Sequence, residues 1–199
     1  MLLFDDVRLG YSQDKSVLDK VSISLFSPGR YALMGESGSG KTTLLKTIAG
    51  LLLPLAGTIK GIENKRISLL FQDDRLLPWC TVLKNVMIAM PEPSEEVAKN
   101  ILLALEITDI EAYPSTFSGG MNRRVALARA LAYQADILLL DEPFSGIDQE
   151  MKLRITKFIT NSAPLILFTT HDQNEAYMMG AKQIFYIEDR RLLNMNKNS

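Results

Sequence analysis

The sequence predicts a single α/β domain over residues 1–199. A mostly parallel sheet is expected to carry an antiparallel β part at the N-terminus and an inserted α-helical lobe over about residues 75–133. Three observations predict this. Short apolar runs suited to buried strands recur at Tyr31–Met34, Ile67–Phe71, Ile137–Leu140, Leu165–Thr169 and Gln183–Ile187, with helical patterns between the later ones. A glycine-rich turn, Gly35 to Thr42, joins the first of these runs to a helical pattern. From Thr81 to about Tyr133 the periodicity is helical.

Taken in order, Leu2–Leu9 reads as a β-run, and Val21–Phe26 reads as another, with apolar and polar residues alternating as far as Leu25. Tyr31–Met34 leads into the glycine turn, and Thr42–Leu52 reads as the helix behind it. Ile67–Phe71 is a buried-type strand that ends at Gln72. The helical lobe follows as Thr81–Ala89, Ser94–Glu106 and Ser118–Tyr133, punctuated by Pro91, Pro93 and Pro114. Strands then return and alternate with helices to the end. No repeat, low-complexity tract or flexible linker interrupts this order.

Composition narrows the function classes. With 22 basic and 23 acidic residues the net charge is −1, and no basic stripe interleaved with aromatics supplies a nucleic-acid footprint. Cys80 is the only cysteine, which excludes an intrachain disulfide and fits a reducing compartment. Met1 to Asp6 runs directly into a strand pattern with no basic leader. The longest apolar region, Leu44–Ala56, is broken by Lys46, Thr47 and Pro54 and is too short for a bilayer. A soluble chain is expected, one that reaches any membrane process through a partner.

Two stretches carry the chemistry. Gly35-Glu36-Ser37-Gly38-Ser39-Gly40-Lys41-Thr42 fits the phosphate-binding loop G-x-x-x-x-G-K-S/T, and Thr43 adjoins it. The glycines let successive backbone N–H groups point at an anion. Lys41 adds a charge for the β/γ-phosphates, and the Thr42 hydroxyl suits Mg²⁺. The second stretch places Ser118, Gly119 and Gly120 at the start of a long helical pattern, where N–H groups and the helix dipole also favour an anion. The two lie about eighty residues apart in a chain too short for two nucleotide domains. A head-to-tail dimer, each second site closing on the partner's first, resolves this.

Strand ends add further candidates. Asp141 follows the apolar run Ile137–Leu140, where a carboxylate beside the phosphate loop can hold Mg²⁺. Glu142 follows it and is the natural general base for an attacking water. Gln72, an uncharged amide at a strand end, can reach Mg²⁺ and that water, and so can sense the γ-phosphate.

These residues together resemble the ATP-binding cassette (ABC) ATPases, the motor subunits of ABC transporters. Phe117-Ser118-Gly119-Gly120 resembles their signature motif, and Leu140-Asp141-Glu142-Pro143 follows in their order. The resemblance implies ATP and Mg²⁺ as cofactors, ATP hydrolysis as the activity, and Glu142 as the catalytic glutamate. It makes His171, in Thr169-Thr170-His171-Asp172, the switch histidine that bonds the γ-phosphate. It makes Tyr11, 24 residues before Gly35, an aromatic that stacks on adenine. Asp148, in Ser145-Gly146-Ile147-Asp148, resembles the loop that crosses the dimer interface. The chain departs from the family at Gly146, usually Ala, at Met121, usually Gln, and at Arg123, where Gln is common. The short segment before Gln72 suggests a trimmed outer β-element, and little room follows Ile187 for a regulatory domain.

Asp74-Arg75-Leu76-Leu77-Pro78-Trp79, with Thr81-Val82 and Asn85-Val86, looks like the importer ATPases of the nitrate/sulfonate/taurine group, which also serves thiamine precursors. The implied partners are a second ATPase subunit, an integral membrane permease docked at this segment, and an extracytoplasmic solute-binding protein reached through the permease. The implied place is the cytoplasmic face of the inner membrane, as a peripheral protein. The alternative is a soluble ABC ATPase acting on nucleic acid or ribosomes. Such chains normally carry two cassettes, a coiled coil or a basic arm, none of which is present.

Overall fold

The computed structural model describes residues 1–195, arranged as two sheets with helices around them. The first sheet is antiparallel and is built on β1 (Leu2–Ser12), which pairs with β2 (Lys15–Val21), β3 (Ser24–Leu25) and β5 (Ala56–Lys60). The strand expected at Val21–Phe26 is therefore two pieces of different strands. The break falls at Ser22 and Ile23, which belong to neither strand, and the Ser22 hydroxyl accepts the Asp6 N–H at 3.1 Å. Val21 pairs opposite Val7, whereas Leu25 pairs opposite Leu2. The outer element is short but present as β5, an exposed edge strand without an alternating pattern to betray it.

The second sheet runs in the order β10 (Arg191–Asn194), β9 (Gln183–Glu188), β4 (Gly29–Gly35), β8 (Leu165–Thr169), β7 (Ile137–Leu140), β6 (Ile67–Leu70). All neighbours are parallel except the β9–β10 hairpin. In-register pairing of Leu70 with Leu140, and of Leu140 with Phe168, brings the carboxyl ends of β6, β7 and β8 to one edge. The carboxyl end of β4 joins them, because Leu33 pairs with Thr169. Ligands of open parallel sheets bind at such an edge.

Helix α1 (Lys41–Ile48) is shorter than the expected Thr42–Leu52, since the chain turns at Gly50 with φ +74°. Between β6 and β7 lie α2 (Val82–Met87), α3 (Glu95–Ala104), a short 3-10 turn at Pro114–Thr116, and α4 (Gly119–Ala132). Thr81, Ser94 and Ser118 cap these helices through their hydroxyls, which accept from backbone N–H groups three residues on. Helices α5 (Gln149–Ile159) and α6 (Gln173–Met178) complete the set, capped by Asp148 and Asp172.

Period-two alternation on β7 separates two apolar cores. Leu138 and Leu140 share a cluster with Val125 and Leu127 of α4 and with the lobe. Ile137 and Leu139 share the other with Leu44, Leu45 and Ile48 of α1 and with the antiparallel sheet. Each core thus anchors one of the helix starts that the sequence marks as anion-binding.

Candidate functional site

The phosphate loop requires glycine for conformation and for space. Gly35, Gly38 and Gly40 have φ of +142°, +78° and +114°. A Cβ on Gly40 would sit 2.6 Å from Val17, and one on Gly35 would sit 2.8 Å from the Ile187 carbonyl. Gly40 precedes α1 and offers no side-chain cap, so the first N–H groups of that helix are available to an anion. Lys41 is buried, and its Nζ donates to the carbonyls of Gly35 and Glu36, both at 2.8 Å. Burial pushes its pKa down, against the opposing pull of Glu142 and Asp141. The Ser39 hydroxyl oxygen is buried without a partner, while Glu36 and Ser37 are exposed.

The edge carboxylates converge on this loop. Asp141 is buried at the end of β7 and accepts from Thr42 Oγ1 at 2.6 Å and from Thr169 Oγ1 at 2.7 Å. Thr169 in turn accepts the Glu142 N–H at 2.8 Å. Glu142 has φ 50°, a left-handed backbone rare outside glycine, and its Oε1 lies 2.9 Å from His171 Nε2. Behind His171, Thr170 Oγ1 bonds Glu175, which pairs with Lys152 of α5 at 2.7 Å.

Tyr11, Lys41, Thr42, Thr43, Gln72 and Glu142 all line one cavity of 380 Å³. Tyr11 is 62% exposed and its hydroxyl reaches Thr43 Oγ1 at 3.4 Å, so its ring is free to meet a ligand. A larger cavity of 490 Å³ opens on the other flank of the loop, toward Asp189 and Arg190. Lys41, Thr42 and Glu142 are absent from its lining and line the smaller one, which is therefore the candidate site.

Three donors in or beside that cavity fit a hard cation: the Thr42 hydroxyl, the Asp141 carboxylate and the Gln72 amide oxygen. Oxygen donors of this kind suit Mg²⁺ completed by phosphate and water. Among the described residues no group of three or more His, Cys, Asp or Glu side chains is placed to hold a metal alone.

Ser118, Gly119 and Gly120 do not line this cavity. Ser118 caps α4, accepting the Met121 N–H at 3.3 Å, and Gly120 lies against the loop Ser145–Asp148. A Cβ on Gly120 would stand 2.6 Å from the Gly146 carbonyl, whereas one on Gly119 would meet nothing. Asp148 caps α5 by accepting the Met151 N–H at 3.0 Å, and that bond holds its carboxyl below the usual range. The two candidate groupings thus occupy separate places on one chain.

Sequence reasoning marked Arg123 only as a departure from a family pattern and passed over Thr169. Both prove to be buried ligands of the Asp141–Glu142 backbone or side chains. The unusual Arg at position 123 was the available signal; a threonine inside a β-run gives none.

In the segment expected to receive a permease, Leu76 packs against the lobe core, while Trp79 is 73% exposed. The buried Asn85 amide braces the loop from below. Its Oδ1 accepts the Leu77 N–H at 2.7 Å, and its Nδ2 faces the Leu77, Cys80 and Thr81 carbonyls.

Known proteins place this geometry. The ABC transporter family model matches residues 18–145. The chain is 38% identical over 182 residues to the aliphatic sulfonates import ATP-binding protein SsuB 1 of Paracoccus denitrificans, covering 88% of this chain and 75% of that protein. It is 36% identical over 185 residues to SsuB of Delftia acidovorans, covering 89% of this chain and 76% of that protein. Its fold matches a dimeric structure of the ATP-binding cassette MJ0796, in a post-hydrolysis state bound to ADP and Pi. The TM-score is 0.86, with 25% identity and 96% of each chain covered. A second dimeric structure of that bacterial ABC transporter cassette matches with TM-score 0.86 at 26% identity, again over 96% of each chain. By sequence and fold together, the chain belongs to the ABC transporter family, in which it is an ATP-hydrolysing cassette.

Proposed function

We propose that this cassette is the motor of an importer of a small anionic solute, of the sulfonate type, and that it works as a head-to-tail dimer beneath a membrane permease. The observation that carries the dimer is the separation of Ser118–Gly120 from the cavity that holds Lys41, Thr42 and Glu142. A signature helix start that cannot reach its own phosphate loop serves the partner's. The importer assignment rests on the SsuB relatives and on exposed Trp79. Among the described residues no helix is long and apolar enough to cross a membrane. The place that follows is the cytoplasmic face of the inner membrane, with a solute-binding protein on the far side.

Within each composite site, Tyr11 stacks on the base, while the Gly35–Gly40 N–H groups, Lys41 and Thr43 bind the phosphates. Thr42, Asp141 and Gln72 would hold Mg²⁺, which would supply positive charge against the phosphates. Glu142 accepts the proton of the attacking water, and His171 steadies the γ-phosphate and the Glu142 carboxylate. Ser118, Gly119 and Gly120 of the second subunit donate to the γ-phosphate from outside, and Asp148 lies where the subunits meet.

Mixing chains tests this. Lys41→Ala and Ser118→Arg chains should each hydrolyse ATP poorly alone, and together should regain activity through one intact composite site. A wild-type chain that stays monomeric by sedimentation yet turns over at a concentration-independent rate overturns the dimer.

A further inference from the structure

Arg123 lies in the second turn of α4 and is 3% exposed. Its guanidinium joins three segments of chain. Nη1 donates to the carbonyls of Phe71 at 2.7 Å and Gln72 at 3.1 Å, and to Asp74 Oδ1 at 3.0 Å. Nη2 donates to the carbonyls of Asp141 and Glu142, the latter at 2.9 Å. Only the planar, forked donor set of arginine can serve both places at once. A glutamine at this position carries two N–H donors on one nitrogen and can serve one place.

The acceptors matter more than their number. Gln72 and Glu142 lie just past the ends of two different strands, β6 and β7, yet their backbones meet at one side chain rooted in the helix capped by Ser118. Arg129 reinforces the connection by donating to the Asp74 carbonyl at 2.6 Å and the Arg75 carbonyl at 2.7 Å. The left-handed Glu142 backbone is held on both sides, by Thr169 at its N–H and by Arg123 at its carbonyl. Such a conformation persists where surrounding contacts over-determine it.

We propose that Arg123 is a positioning residue for hydrolysis, which locks the Glu142 carboxylate and the Gln72 loop in register with the Ser118 end of α4. It touches neither nucleotide nor water. Movement of the lobe therefore reaches the site through this guanidinium, and nucleotide binding by Lys41 and Thr42 does not depend on it. The proposal rests on the assignment of Glu142 as base.

Arg123→Met and Arg123→Gln chains test it, with Glu142→Gln in parallel. The readouts are kcat per binding-competent site, counted by titration with a fluorescent ATP analogue, and the dissociation constant of that analogue. A positional error of the base lowers kcat by about 10- to 100-fold in Arg123→Met, while nucleotide affinity stays within about threefold. Arg123→Gln should retain an intermediate kcat. A kcat per competent site near wild type in both variants, beside an inactive Glu142→Gln, overturns the positioning role. So does a fall in kcat matched by an equal loss of affinity. Failure of both variants to fold would make Arg123 a framework residue and also overturn it. A Glu142→Gln chain with near wild-type turnover would instead sink the base assignment, whatever the Arg123 variants do.

Discussion

The Glu142 carboxylate and the His171 imidazole face each other at 2.9 Å, Oε1 to Nε2, across the tips of β7 and β8. Neither strand alone could set this distance. The parallel register of Leu140 with Phe168 sets the strand ends, and Thr169 fixes the Glu142 N–H between them. The pair is therefore built by the sheet rather than by a mobile loop.

Replacing the carboxylate by its isosteric amide isolates the proton-accepting role. Glu142→Gln should lower kcat by about 10²–10⁴-fold, the usual loss for a general base. Nucleotide affinity should persist, and ATP should trap a dimer visible by size exclusion. Near wild-type turnover would exclude Glu142 as the base.

Thr169→Val keeps the shape of the side chain and removes its hydroxyl. The Glu142 N–H and Asp141 Oδ1 would each lose a partner. Leaving buried polar groups unpaired costs about 1–3 kcal/mol, readable as a lowered midpoint in urea with an unchanged slope. Activity should fall with it, since Asp141 and Glu142 lose their common anchor. An unaltered midpoint would show that Thr169 contributes no net stability.

Gly120→Ala offers a steric test of the signature helix. In a helix the change should help stability slightly, but here the new methyl meets the Gly146 carbonyl at 2.6 Å. Overpacking of this kind costs about 1–3 kcal/mol. Gly119→Ala, where a Cβ meets nothing, is the control. The Gly120 variant should melt lower than the Gly119 variant, and equal melting would show that the Ser145–Asp148 loop yields easily.

Exposed Trp79 bears on the permease. If the proposed permease docks there, Trp79→Ala should weaken co-purification with it by about 2 kcal/mol or more, the scale of an aromatic anchor at an interface centre. Melting temperature and basal ATPase rate of the isolated cassette should scarcely change, because the ring is outside both cores and the nucleotide cavity. A stable variant that still assembles and transports would remove Trp79 from the docking surface.

Much of this was legible in the sequence because the signals are local. Ile137–Leu140 and Leu165–Thr169 are buried on both faces, so their residues form unbroken apolar runs that end at Asp141 and near His171. The glycines at 35, 38 and 40 announce the loop through a conformation other residues resist. What escaped is long-range. The break at Ser22 and Ile23 splits an alternating run between two partners of β1, and no local pattern forces that split. The edge strand β5 is exposed, so burial never shaped its pattern. Arg123 reads as one more basic residue on a helix, and its partners lie 18 to 52 residues away.

On β7, Leu138 faces the core that supports α4, and Leu139 faces the core that supports α1. In the proposed dimer each nucleotide is clasped by α1 of one chain and α4 of the other. A truncation at Leu138 then spoils what a chain lends, and a truncation at Leu139 spoils what it receives. Adjacent codons would behave as two complementation groups, each rescuing the other when both alleles are expressed in one cell.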